Sequence, residues 1–478
     1  MMLYLTLPTA QAHLTRHMKN VQRVGLSSII ISICLLASSS FAQSPPTVAA
    51  APTGKTPIII IPGLTGSDLI NSKTGEEVWF RARRAKDDDI RLPISPNLSR
   101  NRDNLTVKDI IRKVEFFKVL PEIEVYERLI DGLQTRGGYR EVSWNTATRN
   151  DSQDTFYVFP YDWRRDNVEN AQLLVKKIEA LKRRLGKPNL KFNIVAHSMG
   201  GLLARYAAMY GKADLPSGVP RPTWAGAINF DKIFLLGTPN EGSISSLNAL
   251  LNGFSYVGGG LNLPFIQDIS RFDAFTIPSL YQLLPHDGTL LAYDENLKPV
   301  TIDLYDPAEW EKYGWSIWQD DNFTKKFDAS EQRNARPFFN AVLARAKRFQ
   351  AALNAGANAK TSVSFYLMGG DCKPTPAGVL MLRDEKKNRW DTRFKADGFT
   401  RSNGDKIKDT EVEPLLLSPG DSVVTKSSLI GENRKVGSNV VTPVGAEIYQ
   451  CVTHNKLVTN PEVQDKLFAY LNAVPVRP

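Results

Sequence analysis

The stretch that most constrains the fold of this chain is residues 193–201, which read NIVAHSMGG. An apolar run suited to a buried strand leads directly into Ser198, and residues 199–211 then keep helical spacing. Small residues at Ala196 and Gly200 permit a sharp strand-to-helix turn that exposes the serine hydroxyl. The pattern differs from G-x-S-x-G only by alanine in the first position. We therefore expect Ser198 to be a nucleophile at the tip of this turn.

Other apolar runs predict the strands of a parallel sheet. Residues 57–61 are apolar on both faces, as in a buried parallel strand, and similar runs occur at 156–159, 192–196, 233–236, 363–368 and 448–452. Helical patterns lie between them, for example at 170–185. Alternating strands and helices predict the α/β class. Together with the turn at Ser198, they predict an α/β-hydrolase fold, a mostly parallel central sheet flanked by helices.

Two long stretches do not fit this alternation, at about 67–150 and about 243–330. Loops of that length without structure are uncommon inside a compact domain. We expect both to be insertions that form a cap or lid over the sheet, within a catalytic domain spanning 57–475.

The N-terminus has the order of a secretory signal. Basic residues at 18–23 precede an apolar run at 24–36 and small residues up to Ala42. The apolar run is shorter than the roughly 20 residues of a membrane span, which makes an uncleaved anchor the weaker alternative. We expect a signal peptide over 1–42, with Met18 as an alternative start, then a linker at 43–56. The predicted location is secreted or periplasmic.

Composition and cysteine usage indicate which partners and which cysteine states to expect. The formal net charge of +10 suits peripheral contact with an anionic membrane surface, and no nucleic-acid motif is present. The residue patterns call for no cofactor and no metal, and they do not indicate an oligomeric state. Beyond the signal, Cys372 and Cys451 remain as an even pair. They are expected either to form a disulfide in an oxidising compartment or to stay as buried thiols.

A nucleophilic serine requires a base and an acid. His197 adjoins Ser198 and would point away from it, which leaves His286 and His454. The chain order of this fold, serine then acid then histidine, favours His454. For the acid, Asp421 follows an apolar run and a turn, and Asp371 follows the run at 363–368. Spacing alone places Asp421 only slightly ahead.

The oxyanion hole should combine two backbone amides. One is the Met199 N–H at the start of the helix, and the other comes from the loop after the first strand. In that loop, residues 62–66, Gly63 would let the chain turn the Leu64 N–H inward. The alternative for residues 62–66 is a plain strand-ending turn.

Several segments taken in order resemble the lecithin:cholesterol acyltransferase-like branch of lipases. They are IPGLTGS at 61–67, FPYDWR at 159–164, AHSMGG at 196–201, LGTPNEGS at 236–243, GDSVV at 420–424, and His454 with Asn460 beyond it. PYDWR is the most specific of them, and the similarity extends from about 57 to 471. The resemblance implies that Asp421 is the triad acid, that Leu64 occupies the oxyanion position, and that a lid opens at lipid surfaces. Two residues depart from the family pattern, Asn240 where a histidine often follows Thr-Pro and Ser422 where glycine usually follows the acid.

These features predict an exported serine hydrolase that uses Ser198, Asp421 and His454. The expected substrate is a lipid acyl ester at a membrane or micelle surface, and the expected reaction is that of a phospholipase, a lipase or an O-acyltransferase. One alternative is an esterase, thioesterase or amidase of the same fold. The other is a non-catalytic surface binding protein that keeps the fold without the reaction.

Overall fold

The computed structural model describes residues 54–81, 89–114, 123–255, 268–286, 288–356, 361–431 and 444–473. The predicted signal peptide, 1–42, and residues 43–53 of the predicted linker lie outside these ranges. Among the described residues, no helix has both the length and the apolar character needed to cross a membrane.

Seven strands within the described ranges form one parallel sheet. In chain order they are β1 (Ile58–Ile61), β2 (Arg140–Glu141), β3 (Thr155–Val158), β4 (Phe192–His197), β5 (Phe230–Leu236), β6 (Ser364–Gly369) and β7 (Val444–Tyr449). Their order across the sheet is β7-β6-β5-β4-β1-β3-β2, and every neighbouring pair is parallel. The predicted α/β-hydrolase fold class, with a mostly parallel sheet flanked by helices, is confirmed.

Helices cover both faces of this sheet. In chain order they are α1 (Glu127–Thr135), α2 (Asn167–Leu185), α3 (Met199–Tyr210), α4 (Ile244–Asn252), α5 (Arg271–Phe275), α6 (Pro278–Tyr281), α7 (Pro307–Lys312), α8 (Phe323–Lys326), α9 (Ala329–Leu353), α10 (Asp409–Leu416), α11 (Lys426–Ile430) and α12 (Pro461–Asn472). Side chains of β1 alternate between two cores. Ile59 and Ile61 pack with α2, α3 and α9, whereas Ile58 and Ile60 pack with α1 and α12.

Local signals in the sequence set the ends of the longer helices. Asp166 caps α2, and its carboxylate accepts a 2.7 Å hydrogen bond from the Val168 N–H. Gly186 ends α2 with φ 66°, a left-handed conformation that costs glycine little. Asp328 and Glu331 form a reciprocal capping box at the start of α9.

The strand register brings five loops to one edge of the sheet. His197 pairs with Leu236, which pairs with Met368, while Gly369 pairs with Tyr449. The carboxyl ends of β1, β4, β5, β6 and β7 are therefore neighbours, and the loops that follow these strands meet there. In parallel α/β sheets, this is the edge where ligands bind.

The two stretches predicted as insertions contain short elements. The first holds a three-stranded antiparallel sheet (Leu69–Asn71, Glu77–Trp79, Leu105–Thr106), the pair Lys113–Val114 and Ile123–Glu124, and also α1 and β2. The second holds α4 to α8, the pair Phe254–Ser255 and Asp268–Ile269, and the strand Leu291–Tyr293. That last strand pairs with Gly378–Asp384, which forms a hairpin with Arg389–Arg393. The remaining short pairs are Lys373–Pro376 with Leu417–Gly420 and Phe399–Thr400 with Lys406–Ile407.

Candidate active site

Ser198 lies at the turn between β4 and α3 with φ 53° and ψ −127°. This left-handed backbone is strained for a residue with a side chain, and such strain is typical of a nucleophile elbow. Its amide donates a 2.8 Å hydrogen bond to the Leu236 carbonyl. The turn also needs small neighbours, because a Cβ at Gly200 would lie 2.5 Å from the Pro62 carbonyl oxygen and one at Gly201 would collide with Thr238.

In the structure, His454 forms a hydrogen bond with Asp421. Within the described ranges it forms none with Asp371, and His286 has a different partner. His454 Nδ1 lies 2.7 Å from Asp421 Oδ2, and both side chains are buried. The His454 backbone N–H also donates 2.7 Å to the Asp421 carbonyl. His286 instead lies with Nε2 3.7 Å from a carboxylate oxygen of Glu241.

The Asp421 carboxylate is held as an anion. Its second oxygen, Oδ1, accepts hydrogen bonds from the Val423 and Val424 N–H groups at 3.0 and 2.7 Å. Burial by itself would raise the pKa of Asp421, but the His454 ring and these hydrogen bonds outweigh it and leave the pKa below 3.8. An ionised carboxylate here fixes the proton of His454 on Nδ1 and leaves Nε2 free as a base.

Two backbone amides flank Ser198 without an acceptor. Within the described residues, neither the Leu64 nor the Met199 N–H donates a hydrogen bond. The Leu64 loop packs directly on Ser198, because a Cβ at Gly63 would lie 2.8 Å from the Ser198 Cβ. This arrangement offers donors for a negative oxygen beside Ser198.

The segment 160–164 supports that loop. The Tyr161 hydroxyl donates to the Pro62 carbonyl at 2.9 Å, and the Trp163 indole donates to the Ser67 carbonyl at 3.1 Å. Arg164 is fully buried and pairs with Asp162 and Asp103 at 2.8 and 2.6 Å. The PYDWR sequence therefore supports the loop at 62–66 through these hydrogen bonds.

Ser198, Leu64 and His454 border one cavity of about 290 Å³. Much of its lining is apolar, and part of it comes from the second predicted insertion, including Ala249 on α4 and Leu280 on α6. Asp421 lies behind His454, and Met199 is buried at the start of α3. Among the described residues, no group of three or more His, Cys, Asp or Glu side chains is placed to hold a metal ion.

A disulfide joins the segments that follow β6 and β7. Cys372, just after β6, is bonded to Cys451, just after β7, with a Cα–Cα distance of 5.2 Å. Of the two alternatives left open by the sequence, the structure therefore has the disulfide. Its second cysteine, Cys451, lies three residues before His454 along the chain.

Comparisons with known proteins show which family this chain resembles. The family described as lecithin:cholesterol acyltransferase matches residues 111–345. Lecithin-cholesterol acyltransferase-like 4 of Arabidopsis thaliana is 28% identical over 248 residues, which are 48% of this chain and 42% of that protein. The match thus spans less than half of the relative's length.

The chain is similar to the lecithin:cholesterol acyltransferase family.

A solved structure shares the fold of this chain. The crystal structure of the Tle4-Tli4 complex contains a chain that aligns with a TM-score of 0.54 and 15% identity, over 87% of this chain and 98% of that one. At that identity the likeness concerns the fold alone.

The two departures from the family pattern lie in different structural settings. Asn240 is fully buried and does not border the cavity; its Oδ1 accepts from Arg205 at 3.0 Å and its Nδ2 donates to the Leu429 carbonyl. Ser422 has φ 76°, a conformation that glycine adopts without strain. The family's glycine after the acid therefore suits the backbone better than this chain's serine does.

We expect Ser422→Gly to raise the free energy of unfolding by about 1 kcal/mol, because it removes the strain of a left-handed residue with a Cβ. Urea unfolding measures this. Ser418→Gly is the matched control: it lies in the strand Leu417–Gly420, where glycine should instead destabilise by about 0.5–1 kcal/mol. If Ser422→Gly and Ser418→Gly lower the free energy of unfolding equally, the backbone of Ser422 is not strained.

Two residues at this site were not assigned a role from the sequence. Tyr126, directly before α1, and His197 both border the cavity and are buried. The His197 ring lies between the Tyr126 hydroxyl, 2.9 Å from Nδ1, and the His454 carbonyl oxygen, 3.3 Å from Nε2. No local pattern could have found this, because the partners are 71 and 257 residues away from His197 in the chain.

Proposed function

We propose that this protein is an exported serine hydrolase that cleaves lipid acyl esters through Ser198, Asp421 and His454. The observation that carries the proposal is the buried 2.7 Å contact between His454 Nδ1 and Asp421 Oδ2, with His454 and the strained Ser198 bordering one cavity. The similarity to the lecithin:cholesterol acyltransferase family supports a lipid substrate. The basic N-terminal stretch and apolar run support export.

The first half of the reaction transfers the acyl group to the enzyme. His454 Nε2 takes the Ser198 proton as Oγ attacks the ester carbonyl, and the Leu64 and Met199 amides donate to the resulting oxyanion. The imidazolium is stabilised by Asp421 and then protonates the leaving alcohol, so that an acyl-serine remains. In the described structure no hydrogen bond joins Ser198 to His454. Such contacts commonly tighten only when substrate is bound.

The second half releases the acyl group. Water or an alcohol loses its proton to His454 and attacks the acyl-serine. The imidazolium then returns that proton to the departing Ser198 Oγ, which gives a fatty acid or a new ester and restores the free enzyme. The apolar lining of the cavity favours an acyl chain over a charged group. Exclusion of water from this cavity would favour transfer to an alcohol.

Product analysis tests the proposal. Purified protein lacking residues 1–42 and its Ser198→Ala variant are incubated with phosphatidylcholine vesicles, with and without a sterol, and the products are identified by mass spectrometry. We expect acyl release by the wild type and none by the variant. Sterol ester would identify an acyltransferase, and free fatty acid alone a phospholipase. If Ser198→Ala retains the wild-type rate, or if neither vesicles nor simple esters are cleaved, the serine mechanism is wrong.

A further inference from the structure

Two parts of the proposed machinery come from distant places in the sheet. The oxyanion loop, 62–66, follows β1, and the loop carrying His454 follows β7 at the sheet edge. Three strands separate β1 from β7. The geometry at Ser198 therefore depends on what fixes these two loops relative to each other, since displacement of a reacting group by about 1 Å can cost about 100-fold in rate.

A chain of buried hydrogen bonds connects the two loops. The Gly63 N–H donates to the Tyr126 hydroxyl at 2.9 Å, and that oxygen lies 2.9 Å from His197 Nδ1. His197 Nε2 lies 3.3 Å from the carbonyl oxygen of His454. The chain thus begins one residue before the Leu64 amide and ends on the backbone of the base.

The donors and acceptors of this chain have one consistent assignment. A carbonyl oxygen can only accept, so His197 Nε2 must carry a proton in order to bond to it. Burial, and less strongly the nearby His454 ring, lowers the pKa of His197 to about 3, so the ring is neutral at pH 7. Nδ1 is then an acceptor, and the Tyr126 hydroxyl donates to it while accepting from Gly63.

The rings also pack against each other. The centroids of His197 and His454 are 4.9 Å apart with 37° between their planes, and Tyr126 meets His197 edge-on at 5.8 Å. A Cβ on Gly63 would lie 3.4 Å from His197 Nδ1, so the loop backbone passes close to the ring. His197 is therefore in contact with the oxyanion loop and with the base.

We propose that Tyr126 and His197 are positioning residues that hold the oxyanion loop and the His454 loop in register for the reaction at Ser198. Neither residue transfers a proton to substrate; the fixed tautomer of His197 serves as a rigid bridge. This proposal rests on the proposed function of Ser198 and His454. It assigns a role to the histidine before the nucleophile and to a tyrosine supplied from the first insertion.

The test compares Tyr126→Phe with Tyr210→Phe on a soluble nitrophenyl ester. Both changes remove one buried hydroxyl, but that of Tyr210 bonds to the Ala352 carbonyl. Tyr126→Phe should lower kcat about 10- to 100-fold with KM changed less than about 2-fold. Tyr210→Phe should leave both constants unchanged. Thermal unfolding of both variants shows whether they are equally folded.

A double-mutant cycle separates positioning from simple packing. If Tyr126 and His197 act as one bridge, Tyr126→Phe combined with His197→Asn should lose no more kcat than the worse single variant. His197→Gln, whose amide nitrogen can reach the His454 carbonyl, should recover most of the activity lost in His197→Asn. If the fold-losses in kcat of the two single variants multiply in the double variant, the proposal is wrong. It is also wrong if Tyr126→Phe has the same kcat as Tyr210→Phe.

Ser198→Ala distinguishes the two levels of inference. If that variant is inactive while Tyr126→Phe and His197→Asn are fully active, the bridge is wrong and the proposed function stands. If Ser198→Ala is active, the proposed function is wrong, and the bridge proposal that rests on it is wrong too.

Discussion

Asp421→Asn should lower kcat about 10⁴-fold while the protein stays folded. The asparagine oxygen can still accept from the Val423 and Val424 N–H groups that bond to Oδ1. Its amide nitrogen, however, would face His454 Nδ1 as a donor. The imidazole would then carry its proton on Nε2, the wrong nitrogen for accepting the Ser198 proton. KM should change little, because Asp421 lies behind the base and does not border the cavity.

Asp371→Asn is the matched control for this prediction. Asp371 follows β6 and was the rival acid in the sequence, but among the described residues no hydrogen bond or ion pair joins it to His454. We expect Asp371→Asn to retain wild-type kcat. Steady-state kinetics on a soluble ester and thermal unfolding of both variants provide the comparison. A large loss in Asp371→Asn with a small loss in Asp421→Asn would reverse the assignment of the acid.

The central fold was predictable because its signals are local. The four isoleucines of β1 are apolar on both faces, and residues 192–211 pass from buried strand to serine to helix within one continuous stretch. The predicted runs overlap all of the long sheet strands, although the run at 448–452 meets β7 only at its end, since β7 is Val444–Tyr449. In β7, Val444 is followed by Gly445, Ala446 and Glu447 before the next large apolar residue, so the start of the strand has no apolar run.

The parts that the sequence did not indicate depend on distant partners. The hairpin Gly378–Arg393 packs with Leu291–Tyr293, and the two-residue strand β2 joins the sheet from within the first predicted insertion. Strands this short carry too little periodicity to be recognised alone. The same holds at the candidate site, where the rule of chain order selected His454, but the contacts of Tyr126 and His197 arise only from tertiary packing.

The burial of His197 should also make the protein sensitive to acid. In the unfolded chain a histidine has a pKa near 6.5, whereas burial lowers the pKa of His197 to about 3. Below pH 6.5 the unfolded state therefore binds a proton that the folded state excludes. Stability is full above pH 6.5 and falls by about 1.4 kcal/mol per pH unit as the pH drops toward 3.

His197→Gln removes this titration and should flatten the acid limb of the stability curve. Relative to pH 7, the wild type should lose about 3 kcal/mol more than the variant by pH 4, measured by urea unfolding at each pH. Contributions from Asp421 and the other carboxylates are common to both proteins and cancel in the comparison. Between pH 7 and pH 8, His197 is neutral in both the folded and the unfolded state, so there the two curves should run parallel. Parallel curves down to pH 4 would show that His197 takes up a proton in the folded protein. A protonated ring carries hydrogen on both nitrogens, so Nδ1 could not accept the hydrogen bond from Tyr126 that the proposed bridge requires.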